Sequence, residues 1–250
     1  MNDQEALWSD FLAYIERAPA AHNPAVLFAG FRDELVAEGM SKDHASDSIR
    51  EIVTMATWRR DWTAPMFDRI YASPEPRFST LPNVLLVEVT DGRLPGVALD
   101  IAMGQGRNAL YLASCGWKVT GFDVSREGIA VATTEAMDRG LSIDARVAAH
   151  DEFEYGSERW DLIVMTYALV PVTEVAFAEK LVDALRPGGL IVIESFVIGA
   201  DRPPRPVEID PDQLRQAYSQ LQVLRFEDAM DTSDWSDEPA RIVRMAAAKN

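Results

Sequence analysis

Leu99-Asp100-Ile101-Ala102-Met103-Gly104-Gln105-Gly106-Arg107-Asn108-Ala109 is the stretch whose reading decides the fold. It joins a short apolar run, residues 97–102, to an amphipathic run, residues 107–115, that Gly116 closes. A strand, a tight glycine turn and a helix are the expected elements. Glycine permits both the turn and a close approach from outside, where a Cβ would clash. The helix behind the turn presents unpaired N–H groups and a positive dipole end.

Downstream, the same alternation repeats. Residues 117–122 read as a second strand, and Ser125 caps a helix with Ile129, Ala132, Ala136 and Met137 inward, closed by Gly140. Residues 145–149 and 161–167 read as third and fourth strands. Thr173 opens a helix with Phe177, Leu181 and Leu185 on one face, Arg186-Pro187-Gly188-Gly189 stops it, and residues 190–196 form a fifth strand. Strands alternating with helices predict a parallel, doubly wound α/β sheet with helices on both faces. In the tail, Asp210-Pro211 starts a helix, and two further strands around an acidic loop predict an antiparallel edge hairpin, seven strands in all.

Upstream of Pro74 the period is helical. Leu7, Phe11, Tyr14, Ile15 and Ala18 trace one face up to Pro19. Asn23-Pro24 starts a second helix and Ser41 a third, which carries Ala45, Ile49, Ile52, Val53 and Ala56. Residues 1–72 are therefore expected to form a helical subdomain, and residues 73–250 the main domain, entered through a Pro-rich connector and a short helix from Asn83. The subdomain holds few residues for a core of its own, so its apolar faces are expected to rest on the main domain as a lid.

Composition narrows the function classes. The chain has 250 residues, 48% hydrophobic and 26% charged, which excludes wholesale disorder. Forty acidic against 24 basic side chains give a net charge of −16. That field repels phosphate backbones, so no nucleic-acid partner is expected. No apolar run approaches the length of a membrane span, and the acidic N-terminus lacks the pattern of a secretory signal, so a cytoplasmic protein is expected. Cys115 is the only cysteine and there are three histidines, so no metal site is expected.

Two ligand chemistries compete for the glycine loop. Gly104-x-Gly106-x-x-Ala109 satisfies a dinucleotide fingerprint, with Asp123 suited to a ribose, and an NAD-linked oxidoreductase is one reading. Asp100, four residues before Gly104, opposes it, because a pyrophosphate in the loop would be repelled by so close a carboxylate. A ligand carrying an ammonium and a sulfonium would be favoured there instead. S-adenosylmethionine has both, with a ribose for Asp123.

The run LDIAMGQGRNALYLASCGWKVTGFDVS resembles motifs I and II of class I S-adenosylmethionine-dependent methyltransferases, and LRPGGLIVIESF resembles their fifth-strand signature. GRNALYLA and the segment from Phe67 to Asn83 are most similar to the small-molecule branch that includes tellurite-resistance-type and other thiol or chalcogen methyltransferases. The resemblance covers roughly residues 66–250, and Ala102 stands where the family has its first glycine. It implies Asp100, Gly104 and Gly106 around the methionine moiety, with Ala102, Asn108 and Ala109 in the same loop. It also implies Asp123 on the ribose beside Val124, and Asp151 on the adenine between His150 and Glu152. Thr166 and Tyr167 fall beside the methyl group.

For the acceptor, the candidates are the cluster Trp58, Arg59, Arg60 and Trp62 with Tyr71, and the loop Asp201-Arg202-Pro203-Pro204-Arg205. Aromatic walls suit a sulfonium and arginines suit an anionic acceptor. Tyr71, Tyr167 and Arg59 are the expected catalytic residues, and a small-molecule methyl acceptor is the expected partner. A non-catalytic module that binds S-adenosylmethionine on the same fold is a third reading.

Overall fold

The computed structural model describes residues 3–56, 59–74, 78–199, 207–233 and 239–250. Trp58 and the loop 201–205 lie outside the described residues.

Four helices open the chain: α1 (Asp3–Arg17), α2 (Pro24–Ala37), α3 (Lys42–Ala56) and α4 (Thr63–Tyr71). Asn23 caps α2 by accepting from the Val26 N–H, with Pro24 at the first helical position where its missing N–H costs nothing. Trp8, Phe11, Tyr14, Ile15, Leu27, Phe31, Ile52, Met66 and Ile70 form one buried cluster inside this layer. Each large side chain buried there contributes roughly 1.5–3 kcal/mol. The expectation that these helices borrow their core from the main domain is thereby corrected. Their apolar faces turn on one another, because the fourth helix closes the layer that three helices leave open.

The sheet runs β3-β2-β1-β4-β5-β8-β7. Its strands are β1 (Val97–Ile101), β2 (Lys118–Asp123), β3 (Ile143–Val147), β4 (Trp160–Thr166), β5 (Leu185–Val197), β7 (Gln222–Thr232) and β8 (Pro239–Ala248). β1 to β5 are parallel; β8 pairs antiparallel with both β5 and β7. A two-residue strand, β6 (Glu208–Ile209), pairs parallel with the end of β5, so the described sheet has eight strands where seven are expected. Two residues are too few for a period, which is why the pattern hides β6.

Helices α5 (Val84–Thr90), α6 (Arg107–Ser114) and α7 (Arg126–Asp138) cover one face, with Leu86, Ala109, Leu112, Ile129 and Ala132 buried against Ala98, Val164 and Val192. Helices α8 (Val175–Ala184) and α9 (Pro211–Ala217) cover the other, with Phe177, Leu181 and Leu214 against Ile163, Ile191 and Met245. Among the described residues no helix is long and apolar enough to cross a membrane.

The helical layer meets the main domain through α4 and α7. The Asp68 carboxylate accepts from the Ser125 hydroxyl at 2.6 Å and from the Glu127 N–H at 3.2 Å, so a side chain of the layer helps cap α7.

Candidate functional site

Strand order reverses between β1 and β4, the place where doubly wound sheets open a crevice at their carboxyl ends. A cavity of about 330 Å³ lies there. Its floor is Asp100, Ala102, Met103, Asn108, Phe122 and Asp123; Thr166, Tyr167, Leu169 and Val170 form one side. The α4 region closes over it with Arg60, Asp61, Thr63, Ala64, Phe67 and Tyr71, and His150 and Asp151 stand on a further side.

Asp100 ends β1 with only 2% of its surface exposed. One of its oxygens accepts from the Ala109 N–H, while Oδ2 has no partner among the described residues. A buried carboxylate oxygen without a donor is costly unless a ligand completes it. Burial raises its pKa to about 7, against the pull of Arg107. Asp123 ends β2, accepting from the Gly104 N–H through Oδ2 and the Ser125 N–H through Oδ1, both at 2.8 Å. Burial raises this carboxyl to about 6, with the two backbone bonds opposing.

Asn108 stitches three elements. Its Oδ1 accepts from the Asn83 N–H at 2.9 Å and its Nδ2 donates to the Thr166 hydroxyl at 2.9 Å. Burial lowers the pKa of His150, whose ring meets Phe177 edge-on. Val124, His150 and Asp151 line the cavity; Glu152 does not, its carboxylate turning back to the Ala149 N–H.

The loop glycines make the expected tight turn, and at Gly104 the close approach comes from a side chain. Gly104 has φ +54°, and a Cβ on it would collide with the Tyr71 hydroxyl. Gly128 has the Tyr71 ring on its other side, so the tyrosine sits in a slot between two glycines. Gly106, φ +83°, lies against Ala132, which lets α6 and α7 pack closely. Thus Gly104, Gly106 and Ala109 shape the loop and hold Asp100 and Asp123 without lining the cavity themselves.

Of the three expected catalytic residues, Tyr71 and Tyr167 line the cavity and Arg59 does not. The Arg59 guanidinium pairs with Glu5 at 2.9 Å and Asp61 at 3.1 Å and lies over the Trp8 ring. Its neighbour Arg60 lines the cavity instead. Asp61 also accepts from the Trp8 indole; although burial pushes its carboxyl up, Arg59 and Trp8 hold it below the usual range. Trp62 is buried in the helical layer. Phe67, Phe78, Met103 and Gln105 line the site and were not singled out in the sequence. Phe67 carried a signal, since it stands one helical turn before Tyr71, with the two rings stacked at 6.0 Å.

Residues 98–189, which hold this floor and its side, match a family model described as a methyltransferase domain. That stretch is a methyltransferase domain by its sequence. Its cofactor is S-adenosylmethionine, and the uncompleted carboxylate of Asp100 fits the cationic end of that molecule. A ubiquinone biosynthesis O-methyltransferase of Chelativorans sp. (strain BNC1) is 33% identical over 99 residues, 39% of this chain and 39% of its own. A protein named Hemagglutinin 1 from Eikenella corrodens is 29% identical over 158 residues, 60% of this chain and 52% of its own. The chain thus spans about half, or less, of these relatives' lengths. The crystal structure of TehB from Haemophilus influenzae superposes with a TM-score of 0.57 at 20% identity, covering 75% of this chain and 67% of TehB, a likeness of fold.

Proposed function

We propose that this methyltransferase domain transfers a methyl group from S-adenosylmethionine to a small-molecule acceptor, such as a thiol, a chalcogen or another small nucleophile. The observation that carries this reading is Asp100, a buried carboxylate at the cavity floor with one oxygen left without a donor. S-adenosylmethionine, when bound, supplies a methyl carbon already activated by a positive sulfur. The acceptor's lone pair forms the new bond as the carbon–sulfur bond breaks, with the electron pair kept by sulfur.

What remains for the chain is to bind, orient and exclude water. Asp100 would hold the ammonium through its uncompleted oxygen, and Asp123, already fixed by two backbone N–H groups, would accept from the ribose hydroxyls through its remaining lone pairs. Phe67 and Tyr71 stand over the cavity, and the layer that carries them would serve as a lid that dries the reacting pair. Orientation of a bound pair is worth effective molarities on the order of 10⁵ M or more, so no dedicated base is required. The name of the curated relative, a ubiquinone biosynthesis O-methyltransferase, supports a small acceptor, and the 330 Å³ cavity suits one.

Calorimetry with S-adenosylmethionine, S-adenosylhomocysteine and NAD is the first test. Binding of the first two without NAD is the expected outcome; NAD alone binding would install the oxidoreductase. A panel of thiols, selenols, halides, amines and phenols, scored by S-adenosylhomocysteine release, then separates an enzyme from a module that only binds the donor.

A further inference from the structure

An acid stands where the sheet should be purely apolar. β5 runs through Leu190, Ile191, Val192 and Ile193, all buried, and the next residue is Glu194, 1% exposed. Its strand neighbours are Thr166 on β4 and Arg244 on β8. Glu194 Oε1 accepts from the Tyr167 hydroxyl at 2.5 Å, and Oε2 accepts from Arg244 Nε at 2.7 Å. Arg244 in turn reaches Asp231 at 2.7 Å. The Tyr167 backbone N–H donates to the Glu194 carbonyl at 2.8 Å, Phe196 packs on the ring at 4.8 Å, and Tyr167 itself sits at φ +54°.

A buried ion pair is seldom a source of stability, since desolvation offsets most of the attraction, and an aliphatic residue would continue the strand at no such cost. The arrangement makes chemical sense at its other end, because Tyr167 lines the cavity beside Thr166. Backbone strain concentrated at the same residue points the same way.

We propose that Glu194, paired with Arg244, is a positioning residue for Tyr167 and thereby selects the acceptor. A carboxylate can only accept, so the phenol hydrogen is committed to Glu194 and turned away from any ligand. Towards a substrate Tyr167 can then act only as a hydrogen-bond acceptor. The acceptor class it favours is a nucleophile that brings a hydrogen of its own, an O–H, S–H or N–H group, over a bare anion such as a halide. Charge agrees, for the cavity carries Asp61, Asp100, Asp123 and Asp151 against Arg60 and Arg107, and Arg59 is turned elsewhere. The methylated product releases its proton to water. This inference rests on the methyltransferase reading.

The test is a double-mutant cycle on the full chain with a direct spectroscopic readout. In the wild type, NMR should show a slowly exchanging, downfield hydroxyl proton that Tyr167→Phe and Glu194→Leu both abolish. In turnover, each single variant should lower kcat by about tenfold to a hundredfold, while S-adenosylmethionine affinity measured by calorimetry stays within about threefold. The double variant should be no slower than Tyr167→Phe alone, because both remove one arrangement. Glu194→Gln, which keeps an oxygen for the phenol, should recover part of what Glu194→Leu loses. Phenols, thiols or amines should be methylated by the wild type, and iodide should not. Losses that multiply, iodide turning over as fast as the protic acceptors, or no such proton would each overturn the proposal. A wild type that binds donor and methylates nothing would end the methyltransferase reading, and the hydroxyl proton would still decide whether Glu194 holds Tyr167.

Discussion

The floor and the roof of the cavity are built by opposite means. The floor comes from residues 100–123, close in sequence, and its groups are placed by backbone: Ala109 N–H on Asp100, Gly104 and Ser125 N–H on Asp123. The roof comes from Arg60 to Phe78, and its groups are placed by side chains meeting over long separations. Trp8 reaches Asp61, Arg59 reaches Glu5, and Tyr71 drops between Gly104 and Gly128. A floor fixed by strand ends and a glycine turn tolerates few residue types, so it leaves a readable motif. A roof fixed by packing is satisfied by many combinations and leaves almost none.

The sharpest way to break this division is where Tyr71 of the roof seats against the floor loop. Gly104→Ala adds a Cβ that meets the Tyr71 hydroxyl, on a residue at φ +54°. The left-handed conformation costs an ordinary residue roughly 1–2 kcal/mol, and displacing a packed tyrosine adds about 1–3 kcal/mol. A loss of several degrees in Tm is expected, with weakened donor binding, measured by thermal melts and calorimetry. Wild-type stability in Gly104→Ala would mean that the tyrosine's seat in the slot is not a tight one.

Next in size is Asp100→Asn. Removing the charge that faces a cationic donor should weaken S-adenosylmethionine binding by about 2–3 kcal/mol, roughly 30- to 150-fold. In the free protein burial holds this carboxyl near pH 7, so donor affinity should fall as pH drops below about 7, by up to about tenfold per unit. Asp100→Asn should flatten that slope. Stability runs the other way. The folded state keeps the Asp100 proton up to about pH 7, while the unfolded chain loses it near 3.9. Between those values the folded state binds more protons, so this group's contribution to stability declines as pH rises, and denaturant melts of the variant should lack that component.

Legibility followed the same line. Asp100, Asn108, Asp123 and Thr166 were readable because strand ends and the glycine spacing locate them, and the structure brings all four to one cavity. Of the aromatic-basic cluster, Tyr71 reaches the site, while Arg59 is consumed by Glu5 and Asp61. Nothing in the local pattern distinguishes Arg59 from Arg60, because which arginine faces inward depends on Trp8, far off in sequence. Glu194 was visible as an acid inside the apolar run LIVIESF, but its meaning required Arg244 from an antiparallel strand whose register no motif records.

A smaller effect would sharpen the contrast within the roof. Phe67→Ala opens the wall beside Tyr71 and should raise KM for the acceptor about tenfold, with donor affinity kept within about threefold. Arg59→Ala should lower Tm through the lost Glu5 and Asp61 pairs, yet leave kcat/KM within about twofold. Steady-state kinetics on both variants would reveal the assignment as mistaken if Arg59→Ala proved the slower enzyme.

The smallest effect lies two residues from the largest. Ala102 has φ +55°, almost the same as Gly104 at +54°, yet it carries a Cβ. The difference is what lies above each residue. Gly104 is buried beneath Tyr71, whereas Ala102 is half-buried and faces the cavity, so its methyl has room. The left-handed backbone still costs alanine roughly 1–2 kcal/mol, and glycine would remove that cost. Glycine also gives the unfolded chain more freedom, which returns roughly 0.5–1 kcal/mol of the gain. Ala102→Gly is therefore expected to stabilise the free protein by no more than about 1.5 kcal/mol, read as a small rise in the urea midpoint without a change in slope. If the methyl at 102 instead packs against the bound donor, the same substitution should weaken S-adenosylmethionine binding while the free protein gains stability. A fall in stability would mean that the loop holds its shape through the Cβ, and that the floor is less a matter of backbone than its motif suggests.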